Sequence, residues 1–100
     1  MLLDGKVPPV VRTATTTTAK TAALACGYWL IFNLDSSADH IHWAIGPQAS
    51  VEAATTNGKL APGKTVMVHI DPNGATADDT IAVICPTSTA TVHILRVRAP

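Results

Sequence analysis

The chain has 100 residues, of which 47% are hydrophobic, and its seven basic residues balance seven acidic ones, so the formal net charge at pH 7 is zero. That length corresponds to one domain, with a core large enough to fold without metal or disulfide support. The balanced charge excludes the basic surface that binding to nucleic acid or to anionic membranes requires. With 16 alanines and 14 threonines, the surface is predicted to be covered largely by small neutral side chains. Such a surface suits packing against another protein, and it equally suits an inert domain.

Residues 1–9 are predicted to form an extended N-terminal arm, and residues 10–100 a single domain. The arm contains a glycine and two consecutive prolines, which oppose regular structure, and its apolar residues Leu2, Leu3 and Val7 show no periodicity. It is either a frayed terminus or a segment that lays these side chains on a neighbouring subunit. An early acidic residue argues against a secretory signal, and no apolar run reaches the ~20 residues of a membrane-spanning helix. A soluble protein made in a cytosol is expected.

The first two strands of the domain are predicted over residues 10–18 and 20–26. The first is rich in β-branched residues, whose restricted χ1 angles favour a strand over a helix. The second contains alanine and leucine, which are good helix formers. Gly27 ends that segment after one or two helical turns at most, so a short strand is preferred.

All four aromatic residues lie in the stretch 27–46, where a polar loop separates two apolar runs, a pattern that indicates a β-hairpin at the centre of the core. The first run predicts a central strand over residues 28–34, because both of its faces are apolar. Core packing is the default role of a tryptophan, but by alternation Trp29 falls on the face away from the core. The face assigned to the core consists of Tyr28, Leu30, Phe32 and Leu34.

The second apolar run predicts a strand over residues 40–45, which alternates more cleanly. Its residues Ile41, Trp43 and Ile45 are expected to point into the core. The opposite face, expected to meet solvent or a partner, consists of His40, His42 and Ala44.

Four further strands are predicted over residues 50–56, 65–70, 80–85 and 89–97, separated by turn signals such as Asn57-Gly58. Their alternation assigns Val66, Val68 and Ile70 to the inner face of one strand, and Val92 and Ile94 to one common face of another. About eight short strands at roughly ten-residue spacing are typical of a sandwich or small barrel. The predicted fold class is all-β, a single antiparallel β-sandwich.

The two cysteines, Cys26 and Cys85, are too few to form a disulfide framework. Both stand in apolar, strand-like segments. They are predicted to be buried free thiols, with a disulfide between them as the alternative.

Few residues in the sequence suggest chemistry. His40 and His42 are two positions apart, and such side chains lie ~7 Å apart on one strand face, so they could share a zinc ion if a third ligand came from a neighbour. The alternative is exposed or interface histidines that hydrogen-bond locally, or that act as a protonation switch. The loop over residues 71–79 carries four oxygen ligands, but their spacing differs from that of the helical calcium-binding loop, which favours an ordinary hairpin loop.

No motif for nucleophilic catalysis, paired carboxylates or phosphate binding is found in the sequence. We therefore predict no catalytic residue, no cofactor and no bound metal, and a protein that is not an enzyme.

Five stretches carry a resemblance to small bacteriophage virion proteins that runs over about residues 11–97, nearly the whole chain. They are the Thr-rich residues 15–24, the segment Gly-Tyr-Trp-Leu-Ile-Phe-Asn ending at Asn33, the segment His-Trp-Ala-Ile-Gly ending at Gly46, the Leu-Ala-Pro-Gly turn at 60–63, and the Thr-Ala-Thr-Val-His-Ile strand at 89–94. The resemblance implies an eight-stranded, jelly-roll-like sandwich of the head decoration or cement type, bound on the outer capsid surface. This chain departs from the pattern at Ala61, in the His40/His42 pair and in its apolar arm.

The function implied by this resemblance is that of a non-enzymatic capsid decoration protein, assembled in the bacterial host cytoplasm, that binds and stabilises the shell of major capsid protein. It implies a homo-oligomer, with a trimer favoured, and neither nucleic acid nor membrane as a partner. The residues predicted to contact partners are Leu2, Leu3, Val7, Val10 and Arg12 in and after the arm, together with Trp29, His40 and His42. The alternatives are a neck, tail or fibre protein, a carbohydrate-binding sandwich with Trp29 or Tyr28 as the sugar platform, and a small cupin-like metal enzyme.

Overall fold

A computed structural model describes residues 3–34, 39–55, 57–74 and 76–98, which contain eight strands and no helix. The strands are β1 (Val10–Ala14), β2 (Ala19–Lys20), β3 (Gly27–Asn33), β4 (Ile41–Gly46), β5 (Gly58–Leu60), β6 (Thr65–Ile70), β7 (Thr80–Ile84) and β8 (Ala90–Arg96). Within these residues there is thus no helix long and apolar enough to cross a membrane.

The strands form two antiparallel sheets of four strands each. Sheet I has the order β1-β8-β3-β6, and sheet II has the order β2-β7-β4-β5. The first strand pairs with the last, the second with the seventh, the third with the sixth and the fourth with the fifth. This is one long hairpin wound into two sheets, the arrangement of a jelly roll. The predicted fold class, an all-β antiparallel sandwich that is jelly-roll-like, is confirmed.

The core lies between the inner faces of the two sheets. Its largest fully buried apolar side chains are Ile31, Ile41, Ile70, Ile81, Ile94, Val83 and Val92. Burial of each such side chain is worth about 1.5–3 kcal/mol relative to exposure. The inward residues predicted for the strands at 65–70 and 89–97 belong to this core, so the clean alternation of β6 and β8 predicted their faces correctly.

The strand that carries three of the four aromatic residues faces the other way from the prediction. Trp29 is only 4% exposed and Ile31 is fully buried, whereas Tyr28 is 49% exposed. Pairing explains the orientation, because Trp29 lies opposite the inward Val68 of β6. Residues that are directly paired in an antiparallel ladder share a face. Both faces of β3 are apolar, so alternation within that strand alone could not distinguish inside from outside.

The first two predicted strands are shorter than expected because the chain crosses between the sheets. β1 ends at Ala14, and a threonine turn in which the Thr17 N–H donates to Thr15 Oγ1 at 3.2 Å leads into β2. Such local side-chain bonds compete with strand pairing. The segment after β2 is not a strand, and Cys26 within it is exposed, contrary to the prediction. Cys85 is buried as predicted, and both thiols are free.

The predicted strand over residues 50–56 is not a strand in the described residues, and β5 begins later, at Gly58. Residues 47–57, described except for position 56, cross the outer surface of sheet II, and we call them the covering loop. In it, Val51 and Ala53 pack on Ala82 of β7. Gly46, directly before the loop, permits this close packing, because a Cβ at that position would lie only 3.1 Å from the Cβ of Val51. The covering loop thus forms a second, smaller apolar cluster outside the main core.

Candidate functional site

The outer faces of the two sheets are very different. The covering loop shields that of sheet II, and several hydrogen bonds hold it there. The Thr18 hydroxyl donates to the Ala53 carbonyl at 3.3 Å, the Lys20 ammonium donates to the Gln48 carbonyl at 3.0 Å, and the Gln48 N–H donates to Asp79 Oδ1 at 3.2 Å. No described segment lies across the outward side chains of sheet I. That sheet therefore offers the surface where another molecule can bind.

The outward side chains of sheet I form a continuous apolar surface, which we call the apolar face. It consists of Leu3, Val11, Tyr28, Leu30, Phe32, Met67, His69, His93 and Leu95, with threonines 13, 65 and 91 at one end. The four large apolar side chains that are exposed in the described residues all belong to it, namely Leu3 at 49%, Val11 at 47%, Tyr28 at 49% and Met67 at 51%.

Strand register brings these residues into rows across the sheet. Leu30 on β3 lies between Leu95 of β8 and Met67 of β6. In the next row, Phe32 lies beside His93. Neighbouring side chains on one face of a sheet are within contact distance of each other. This explains why Leu30 is only 7% exposed on an open face, whereas Met67 on the edge strand is half exposed.

No outward position of the four strands carries an acidic or a basic side chain other than histidine. The two arginines on these strands occupy inward positions. Arg12 donates from Nε to the Lys20 carbonyl at 2.9 Å, which ties the edge strand β1 to β2. Arg96 lies 5.3 Å from the ring of Trp29 and donates to the Ala25 carbonyl at 3.2 Å. The outward strand positions of the apolar face therefore carry no Asp, Glu, Lys or Arg, and their two imidazoles belong to His69 and His93.

Each of those imidazoles has an aromatic neighbour. The rings of Tyr28 and His69 are 4.9 Å apart between centroids and tilted by 44°. His93 is partly buried between Val11 and Phe32. Both imidazoles therefore lie within the apolar face, beside aromatic rings.

Of the predicted arm, the described residues 3–9 lie against their own domain. Leu3 pairs with Val97, which places its side chain at the border of the apolar face, and the Asp4 N–H donates to the Arg96 carbonyl at 2.8 Å. Val7 and Val10 pack against the core. Of the predicted contact residues in and after the arm, Leu3 is the one with a strongly exposed side chain; Leu2 lies outside the described residues.

The other predicted contact residues are less available than expected. Trp29 is in the core, and its Nε1 donates to the Ala25 carbonyl at 3.0 Å. His42 faces away from the core as predicted but is 6% exposed, because the end of the covering loop lies over it and the Asn57 carbonyl is 3.1 Å from its Nδ1. The prediction that His42 faces solvent or a partner is therefore wrong. His40 is partly exposed, 2.8 Å from Asp39.

The rings of His40 and His42 are 5.1 Å apart, close enough for two ligands of one metal ion. Among the described residues, however, no three side chains of histidine, cysteine, aspartate or glutamate come together to hold one. A zinc site needs three or four protein ligands. Neither the histidine pair nor the loop over residues 71–79 supplies that set within the described part of the chain.

Asp39 anchors the start of β4. Its carboxylate accepts bonds from the backbone N–H of His40 at 2.8 Å and from the Thr87 hydroxyl. The bond from the His40 N–H, assisted by the charges of the His40 imidazole and of Lys59, holds the pKa of Asp39 below its usual value of 3.8. Because the ionised form is favoured in the folded protein, Asp39 contributes stability above that pH and loses it as the pH falls.

We expect Asp39→Asn to reduce the difference in unfolding free energy between pH 7 and pH 3, because the variant no longer has this titrating group. Urea unfolding at a series of pH values measures the difference. The control is Asp78→Asn, which removes the same charge in the loop before β7. An unchanged pH dependence in Asp39→Asn would contradict the assignment.

The sequence patterns missed most of the apolar face. Its clearest signal in the sequence is Met67 and Leu95, large apolar residues that occupy the outward positions of two cleanly alternating strands.

In comparisons with protein-family models, with curated proteins and with solved structures, none matches this chain.

Proposed function

We propose that this protein is a non-enzymatic structural protein of a bacteriophage virion, a decoration or cement protein that binds the shell of major capsid protein from outside. The proposal takes the kind of assembly from the resemblance of the sequence to small virion proteins. The jelly-roll strand order is consistent with it, although that fold also serves many other functions.

The apolar face is the observation that carries the proposal. A small soluble domain rarely exposes a contiguous apolar surface, and such a surface marks a site of protein association. Here all four exposed large apolar side chains of the described residues lie on one face with no charged neighbour on its strands. Such a surface supports a role within an assembly.

A domain with these properties is suited to binding in many copies to a repetitive partner. A domain of 10.4 kDa with no net charge has little electrostatic attraction for a partner. A shell offers many identical sites, and linked copies convert weak contacts into strong overall binding. The same reasoning applies to a neck, tail or fibre position, which differs in the number of copies per particle.

A carbohydrate-binding role is the second candidate, because Tyr28 is half exposed and its ring lies beside that of His69. The other predicted sugar platform, Trp29, is buried. Amphipathic aromatic rings suit contacts with sugar faces, but sugar hydroxyls also need polar partners. The row next to Tyr28 offers the side chains of Leu30, Met67 and Leu95, which cannot supply them.

The test of the proposal is binding to particles. Purified protein is added to virions that lack it, bound copies per particle are counted by gel densitometry, and heat resistance of the particles is measured. Saturable binding at hundreds of copies, with increased heat resistance, is the expected result for a decoration protein. Binding at tens of copies or fewer indicates a neck, tail or fibre position. Failure to bind particles, with binding in a glycan screen, would replace the proposal with the second candidate.

The N-terminal arm gives a further prediction. Deletion of residues 1–9 is expected to lower the affinity for particles at least about tenfold, because a lost contact worth about 1.4 kcal/mol has that effect. Val7 packs against the core, so Val7→Ala is the matched control for the packing that the deletion also removes. Equal binding by the deletion variant and the intact chain would refute a role for the arm in docking.

A further inference from the structure

We propose that the apolar face is an interface between two copies of this chain, packed face to face about a two-fold axis. This inference names the partner of the surface on which the proposed function rests. The shell would then be contacted by other parts of the pair, including residues 4–9 of the arm.

The absence of charge on the outward strand positions is the first argument for a second copy. In a two-fold interface the same patch occurs on both sides, so a charged residue near its centre meets a like charge on the copy. Like charges in such a position cost several kcal/mol. The two arginines of these strands are instead turned inward, onto the Lys20 carbonyl and onto the Trp29 ring. The apolar face can therefore meet itself without repulsion at neutral pH.

The shape of the face is the second argument. Sheets pack face to face about 10 Å apart, with their strands within about 30° of each other. The side chain of Leu30 at the centre is almost fully buried, whereas Val11 on one edge strand and Met67 on the other are half exposed. When the two-fold axis runs along the strands, Val11 of one copy comes opposite the edge that carries Met67 of the other. The half-exposed side chains at both edges would then be covered by the other copy.

The area of the apolar face sets the expected strength of the association between two copies. Four strands about 4.8 Å apart and four side-chain rows about 7 Å apart give a face of about 500 Å² in projection. Two such faces would together bury about 1,000 Å² of accessible surface, which is at the lower limit for a specific interface. The pair should therefore dissociate on dilution.

The covering loop limits the number of copies. It occupies the outer face of sheet II, so within the described residues the apolar face is the large surface left without its own cover. A self-complementary interface of this kind closes after two copies. The structure thus favours a dimer over the trimer implied by the resemblance.

Sedimentation equilibrium of the purified full chain over a wide range of concentration tests the inference. We expect the mass to rise with concentration from 10.4 kDa toward twice that value. Met67→Lys places a charge on the apolar face and is expected to weaken the association at least tenfold. The matched control is Ala61→Lys, which adds the same charge in the exposed turn before β6 and should leave the association unchanged. Val11→Lys on the opposite edge provides a second variant should Met67→Lys fail to fold.

Three results would overturn the inference. A mass three times that of the chain indicates a trimer, and a dimer that survives both lysine variants uses another surface. A chain that stays monomeric at all concentrations, while Met67→Lys lowers the number of copies bound per particle, assigns the apolar face to the shell. Particle binding is measured separately, so a dimer that fails to bind particles would refute the proposed function and leave the interface standing.

Discussion

Replacing Trp29 with alanine is expected to lower the free energy of unfolding by about 3–5 kcal/mol, and replacing Tyr28 with alanine by less than about 1 kcal/mol. The two residues are adjacent on β3 and similar in chemistry, but they lie on opposite faces. Trp29 is 4% exposed and Tyr28 is 49% exposed. The pair of variants therefore tests which face of the central aromatic strand is inside.

The large expected effect of Trp29→Ala has two causes. Removal of the indole leaves a cavity in the main core, and the surrounding residues can only partly collapse into it. The same change removes the ring over which the Arg96 guanidinium lies and the bond from Nε1 to the Ala25 carbonyl. Urea unfolding followed by circular dichroism measures both variants. A greater loss for Tyr28→Ala than for Trp29→Ala would reverse the assigned faces and remove Tyr28 from the apolar face.

Asn33→Ala is expected to cost about 2–4 kcal/mol, because it combines a buried cavity with unsatisfied carbonyl groups. Asn33 is fully buried, and its side-chain amide donates to the Leu60 carbonyl at 3.0 Å and to the Asp39 carbonyl at 3.1 Å. These two bonds join the end of β3 to β5 and to the segment before β4. Without them, two partly or fully buried acceptors lose their donors in an environment that water reaches poorly.

The matched control for this variant is Asn73→Ala, which makes the same substitution at an exposed loop position. Its expected effect is within about 0.5 kcal/mol of zero. Both are measured by chemical denaturation. If Asn33→Ala were as mild as Asn73→Ala, the amide bonds would not be holding the loop ends, and the junction would depend on the backbone bonds around Asn33 instead.

The sequence predicted the class of fold because hydrophobic alternation is strong in several strands. In β6, the inward residues are valines 66 and 68 and Ile70, and the residues between them point outward. The bounds of this strand were predicted correctly. The orientation of β3 could not be obtained in the same way, because all of its central side chains are apolar. Its inner face is fixed by pairing with β6 and β8, and strand order is not encoded in the periodicity of one strand.

The exposed apolar face could not be predicted from the sequence for a related reason. The sequence predicts a strand over residues 50–56, but Val51 and Ala53 of that segment belong to the covering loop. That loop buries His42, which alternation alone assigned to an exposed face. Which outer face is covered depends on where a long connection lies in space. Local patterns carry no information about that position.

The pairing of the first strand with the last has a consequence for synthesis of the protein. In sheet I, β8 lies between β1 and β3, so β1 has no neighbour in its sheet until residues 90–96 have left the ribosome. Translation proceeds at about 5–20 residues per second, and folds dominated by such distant pairings form in milliseconds to seconds. The first half of the nascent chain, with its aromatic strand, therefore waits for several seconds without its partners. During that time this half of the chain is exposed to chaperones and to other nascent chains. We expect chaperones to bind the segment that forms β3, because its side chains are apolar.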